Sequence, residues 1–145
     1  MRTPYGLLSA VRKYPIGNAD PFENFLTEAW AWSLRWDDEL CSLFLAWATN
    51  DLVSDQEPLE VTTQRHVPSG FIDLMVETKE FIVIFEHKTW STFGDEQVEK
   101  YHADVALQFP EKNIVCVTIT GYPYLPPAHP HIVSFARTWG NLAQW

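Results

Sequence analysis

Phe71-Ile-Asp-Leu-Met-Val-Glu-Thr-Lys-Glu-Phe-Ile-Val-Ile-Phe-Glu-His-Lys88 decides the fold. Phe, Ile and Val dominate the run, and polar residues gather only near Thr78 to Glu80, so it reads as two strands and a turn. Side chains alternate along a strand, so Glu86 and Lys88 share one face and His87 takes the other. A turn at Lys79-Glu80 pairs Thr78 with Phe81 and sets Asp73 opposite Glu86, with Cβ atoms roughly 4.5–5.5 Å apart. Lys-Glu is not a favoured hairpin pair, which leaves the turn type open.

That register gathers two carboxylates and an ammonium on one sheet face. Adjacent carboxylates do not both ionise easily unless something offsets their charge. A hard divalent cation such as Mg²⁺ does so, using one or two carboxylates, waters and substrate phosphate. Lys88 would then stabilise charge on a phosphate or orient a water. The plainer alternative is a half-exposed hairpin with an ordinary Glu86–Lys88 salt bridge.

Further residues extend the pattern. Asp95 reads as an N-cap for a helix from Glu96 to about Phe109, and Gln97 and Tyr101 share one face of it at i and i+4. They would position a phosphate, a base or Lys88, or form a hydrogen-bonded pair at a helix–sheet seam. Upstream, Asp20-Pro21 is a helix start, an N-cap followed by proline at the first helical position. Phe22, Phe25, Leu26, Ala29, Trp30 and Ser33 carry that helix to about Arg35. Glu23 and Glu28 fall on opposite flanks of its apolar stripe, so only one of them should face the hairpin.

Asp73 followed by Glu86-His87-Lys88 at the end of the next strand resembles the PD-(D/E)XK nuclease superfamily. Gln97-x-x-x-Tyr101 is similar to the QxxxY motif of its RecB-like branch. Glu23-Asn-Phe-Leu-Thr-Glu28 resembles the family's first core helix, which often adds a carboxylate, a pattern that favours Glu23. The position before Asp73 is Ile72, where the family often has proline. The resemblance spans about residues 21–120 and rests on the order of short motifs. It implies that Asp73 and Glu86 bind Mg²⁺ or Mn²⁺ together with the backbone carbonyl of His87. It implies a catalytic Lys88, Glu23 as an extra carboxylate, and substrate positioning by Gln97 and Tyr101.

Composition sets the bounds. A chain of 145 residues with 46% apolar content fits one domain with a real core. No run approaches the roughly 20 apolar residues needed to span a bilayer. Cys41 and Cys116 lack a CxxC partner, which speaks against zinc and suits a reducing cytoplasm. Net charge is −9, yet nucleic-acid binders usually carry a basic footprint. Residues 1–19 hold Arg2, Arg12 and Lys13 and no acid, whereas residues 20–60 hold ten acids against Arg35 alone. An acidic domain needs a dimer mate or another domain to supply basic surface for DNA.

Residues 1–19 read as an arm, solvated or packed as a short helix, and 20–145 as one domain. Asp37-Asp-Glu39 breaks the first helix or caps a second, marked by Leu40, Leu43, Phe44 and Trp47. The tryptophans of this half read as core packing. Asn50 to Pro58 reads as a polar loop, Val61–Val67 as a first strand, and Pro68-Ser-Gly70 as a turn. Asn113–Thr120 is a β-branched strand of the buried kind. Gly121 to Pro130 reads as an extended proline-rich loop, and His131–Phe135 as a fifth strand. His129 and His131 flank Pro130 without a third ligand nearby in sequence. Thr138 would cap a helix that the chain end at Trp145 cuts short, which suggests a truncated C-terminus. There is no repeat, no phosphate-binding glycine loop, and no HExxH or GxSxG motif.

The expected architecture is therefore α/β: a restriction-endonuclease-like core with a central mixed sheet flanked by helices, in the order α-α-β-β-β-α-β-β. The expected activity is metal-dependent hydrolysis of DNA phosphodiester bonds. The alternatives are a metal-dependent phosphodiesterase acting on RNA or nucleotides, and a nuclease-fold assembly module whose site is dormant. They are separated by whether the chain cuts nucleic acid, and which.

Overall fold

The computed structural model describes residues 21–88, 96–124 and 129–145. The arm at 1–19, the expected caps Asp20 and Asp95, the segment 89–94 and part of the proline-rich loop lie outside the described residues. Helix α1 spans Pro21–Trp36 and α2 spans Asp38–Ala48; strands β1 (Pro58–Val67), β2 (Gly70–Thr78) and β3 (Phe81–Lys88) follow. Helix α3 (Gln97–Gln108), β4 (Asn113–Thr120), β5 (Val133–Thr138) and α4 (Trp139–Gln144) complete the order. The five strands form one mixed sheet in the order β1-β2-β3-β4-β5. The first three are antiparallel neighbours; β4 and β5 run parallel to β3. The chain passes through α3 between β3 and β4, as a parallel pair requires a crossover.

Period-2 alternation sorts the apolar side chains onto two faces. Leu74, Val76, Val83, Phe85, Val115 and Val117 pack against Leu34, Cys41, Phe44 and Leu45 of α1 and α2. Met75, Ile82, Ile84, Ile114 and Cys116 pack with Tyr101 and Val105 of α3. Burial on both faces explains why β3 and β4 read as nearly continuous apolar runs. Trp30 packs edge-on to Phe44 and Trp47 stacks on it, so these two tryptophans serve the core as expected. Both cysteines are free and buried, and no described helix is long and apolar enough to cross a membrane.

The β2–β3 register is the expected one, running from Leu74↔Phe85 to Glu77↔Ile82. Lys79 and Glu80 do not take the left-handed backbone of a primed hairpin turn. The Thr78 hydroxyl accepts from Phe81 N at 3.0 Å instead and closes the turn from its side chain. Asp37 does cap α2, accepting from Leu40 N at 2.9 Å. Thr138 caps α4 through a capping box with Asn141.

Three boundaries differ from expectation. Strand β1 begins at Pro58, inside the stretch read as a loop, with an irregularity between Pro58 and Glu60 that lets proline sit on this edge strand. Strand β5 starts at Val133, not His131, because Ile132 N donates to His129 O and holds 129–132 in a turn. Helix α3 starts at Gln97 after Glu96, whose φ is 57° and whose side chain makes no capping bond.

Candidate active site

Asp73 lies one residue beyond the last β2–β3 ladder pair, level with Glu86. Its Oδ2 accepts from the His87 backbone N–H at 2.8 Å, a bond between side chain and main chain that fixes the carboxylate at the strand end. Its Oδ1 accepts from Gln64 Nε2 at 3.2 Å. Gln64 sits within β1 with φ at 49°, and the ladder pairs Thr63 with Leu74 and Arg65 with Ile72 but omits Gln64 and Asp73. Such a left-handed residue costs about 1–3 kcal/mol and persists where surrounding structure holds it. Gln64 is the site residue that the sequence reading passed over; nothing in a β-forming run such as Val61–Val67 flags a strained backbone.

Lys88 Nζ lies 3.0 Å from Glu86 Oε1 and 3.8 Å from Glu23 Oε1. The structure thus brings Glu23, and not Glu28, to the hairpin. Glu28 is fully buried on the other flank, 3.8 Å from Arg35, whose Nε donates to Val61 O and ties α1 to β1. Thr27, one turn after Glu23, donates its hydroxyl to Glu23 O at 3.0 Å and lies 2.7 Å from His87 Nδ1. The direction of the Thr27–His87 bond follows the imidazole tautomer. Successive β3 residues therefore grip successive turns of α1: Lys88 at Glu23, His87 at Thr27.

Gln97 Nε2 donates to Glu86 Oε1 at 2.5 Å and to Tyr101 Oη at 3.2 Å. The hydrogen-bonded pair at the helix–sheet seam is thus present, and Gln97 also bonds the Glu86 carboxylate. The ring of Tyr101 lies on Gly70: a Cβ there would sit 2.9 Å from Tyr101 Oη, and Gly70 has φ +147°. A Gly70→Ala substitution should cost about 1–3 kcal/mol. Urea unfolding checks it, with a midpoint equal to wild type as the contrary result.

The site carries more negative charge than its surroundings can solvate. Burial first, then the Asp73 charge, raise Glu86 well above the ordinary carboxylate range, against the pull of Lys88. Burial also raises Asp73, opposed by the His87 N–H, Lys88 and Gln64. Burial pulls Lys88 down, but Glu86 and Asp73 outweigh it and hold the ammonium charged. Glu86 Oε2 is buried and has no hydrogen-bond partner among the described residues. The donor set is hard oxygen throughout, which fits Mg²⁺ or Mn²⁺ rather than a softer metal. Among the described residues no three His, Cys, Asp or Glu side chains gather as a self-sufficient metal cage. A two-carboxylate site that completes its shell with water and phosphate has no need of one.

His87 is fully buried, which pushes its pKa from 6.5 down to about 3. The unfolded chain therefore takes up a proton that the native state refuses, and stability is lost as pH falls below 6.5. From pH 8 to pH 5 this one group should remove about 2 kcal/mol. Urea titrations of wild type beside His87→Asn at both pH values check it; parallel pH dependences would contradict it. His129, with no metal partner in sequence, lies 2.6 Å from Glu99 of α3.

No family model, characterised protein or solved structure matches the chain.

Proposed function

We propose that the protein is a divalent-cation-dependent nuclease of the PD-(D/E)XK kind, with a restriction-endonuclease-like core, hydrolysing phosphodiester bonds in DNA. One observation carries this reading: Asp73 and Glu86 stand level on adjacent strands, with Lys88 Nζ 3.0 Å from Glu86. Asp73 and Glu86 would hold Mg²⁺ or Mn²⁺, joined by the His87 carbonyl, with Glu23 nearby as a further carboxylate. A cation bound there supplies a polarised phosphate and a more acidic water.

The remaining work falls to this chain's own groups. The Asp73 carboxylate is pre-oriented by the His87 N–H and by Gln64, so little rearrangement is needed on binding. Lys88 places a positive charge where negative charge grows on the attacked phosphate. Gln97 holds Glu86 Oε1 from the helix side and bonds Tyr101, and the two would position the substrate. The net charge of −9 requires basic surface from elsewhere, from a second copy of the chain or another domain.

The test is relaxation of supercoiled plasmid at low salt with Mn²⁺ or Mg²⁺, beside EDTA. Metal-dependent nicking supports the reading. A folded protein that leaves plasmid intact but cuts RNA or a nucleotide diester moves the substrate class. One that cuts nothing favours the assembly module, for which the exposed Trp36, Leu43 and Leu59 would offer apolar contacts.

A further inference from the structure

Two buried oxygens on neighbouring strands have no hydrogen-bond partner among the described residues: Glu86 Oε2 on β3 and Thr118 Oγ1 on β4. Glu86 and Thr118 are paired across the parallel ladder, so their backbones lie roughly 4.8 Å apart. Paired positions present side chains to the same face. Here it is the α3 face, because the next pair inward, Ile84 and Cys116, packs with Tyr101 and Val105. Both residues are 3% exposed. Thr120, two residues on and on that same face, gives its hydroxyl to Tyr122 O. Thr118 has no such outlet, and a buried hydroxyl left unmade carries its full desolvation penalty. Valine fills the same volume in a strand without that penalty, so packing does not explain the hydroxyl.

We infer that Thr118 is a further residue of the cation site, its hydroxyl holding a water of the cation's hydration shell beside Glu86 Oε2. The inference rests on the nuclease reading for the presence of a cation and adds β4 to the elements that bind it. Mg²⁺ and Mn²⁺ keep several waters, and each needs acceptors for its protons. A threonine oxygen has two lone pairs and one proton, so it serves a water well and a bare apolar neighbour badly. Thr118 is a positioning residue, acting on the cation through water.

The test measures Mn²⁺ binding directly, by loss of the free-Mn²⁺ EPR signal and by calorimetry, without nucleic acid. Thr118→Val should weaken Mn²⁺ binding by about 10- to 100-fold, the usual effect of losing an outer-shell partner. In EDTA its melting temperature should equal or exceed that of wild type, because an unpartnered hydroxyl has gone. Thr118→Ser, which keeps the hydroxyl, should bind within a few-fold of wild type. Unchanged affinity in Thr118→Val overturns the inference, as does a Thr118→Ser as weak as Thr118→Val. A wild type that binds no Mn²⁺ overturns both the inference and the cation-dependent reading. A wild type that binds Mn²⁺ but cuts no nucleic acid removes the nuclease reading alone.

Discussion

Lys88→Ala should lower the rate of Mn²⁺-dependent plasmid cleavage by about 10²–10³-fold or more, the scale on which loss of one preorganised donor to a developing oxyanion is felt. The ammonium is well placed for this: its side chain is largely buried, and the carboxylates of Glu86 and Glu23 hold it at 3.0 and 3.8 Å. A charge fixed in a poorly solvated site needs no reorganisation as the transition state forms. The fold should survive, because Lys88 ends β3 and its backbone carbonyl, which accepts from Gly121 N at 2.8 Å, is untouched by the change. Removing the Lys88 ammonium leaves Asp73, Glu86 and Glu23 without the positive charge they share. In EDTA the variant should therefore melt lower than wild type, and the gap should widen as pH rises. Lys88→Arg should not restore activity, since a planar guanidinium replaces a compact point charge between the same two carboxylates. Initial rates at saturating Mn²⁺, with circular dichroism as a control for folding, decide the matter. An active Lys88→Ala with an unchanged metal requirement would remove Lys88 from the mechanism.

Much of this geometry is legible in the sequence because a strand has only two faces. Once Thr78 and Phe81 flank a two-residue turn, Asp73 must fall level with Glu86, and Lys88 must share the face of Glu86. Helical spacing likewise puts Gln97 and Tyr101 together, and Glu23 and Glu28 apart. What the sequence leaves open is which flank of α1 turns toward the sheet. That choice is made by tertiary partners: Thr27 bonds His87, and Arg35 draws Glu28 toward β1. The left-handed Gln64 and the unpartnered Thr118 are invisible for a different reason. One is a backbone distortion in a β-forming run, the other a register across a parallel pair joined by a long crossover, and neither has a local signature. The boundary errors share a cause with these. Pro58 sits in an edge strand where a proline argues against any strand, and His131 reads as β yet is held in the turn closed by His129 O. The family resemblance suggested the roles of the residues; their proximity follows from the register and the helix packing alone.

Glu86→Gln should do two opposite things, and together they separate a functional carboxylate from a structural one. Glu86 is raised well above the ordinary range by burial and by Asp73. A group whose folded pKa is raised adds stability below its unfolded pKa and loses it as pH rises through the folded value. Wild type in EDTA should therefore lose stability relative to Glu86→Gln on going from weakly acidic to alkaline pH, the opposite His87 contribution being common to both proteins. A glutamine in that place has no such limb, and its carbonyl can still accept from Gln97, now 2.5 Å from Glu86 Oε1. The difference between the two proteins should grow by up to about 1.4 kcal/mol per pH unit across the interval where only the unfolded Glu86 is ionised. In a chain of this length that appears as a melting temperature several degrees higher for Glu86→Gln at pH 8. Cation binding should reverse the order. A cation at 100 times its Kd stabilises the wild type by about 2.7 kcal/mol, and a neutral amide retains little of that affinity. Cleavage should fall roughly 10³-fold, since several kcal/mol of transition-state stabilisation at about 1.4 kcal/mol per decade is lost. Thermal melts at pH 6 and pH 8, each with EDTA and with Mn²⁺, read all of these changes in one series. A structural salt bridge predicts the contrary pattern, in which Glu86→Gln is less stable at every pH and Mn²⁺ stabilises neither protein. A site held under charge repulsion until a cation arrives predicts crossing: the variant above wild type in EDTA, and wild type above the variant in Mn²⁺.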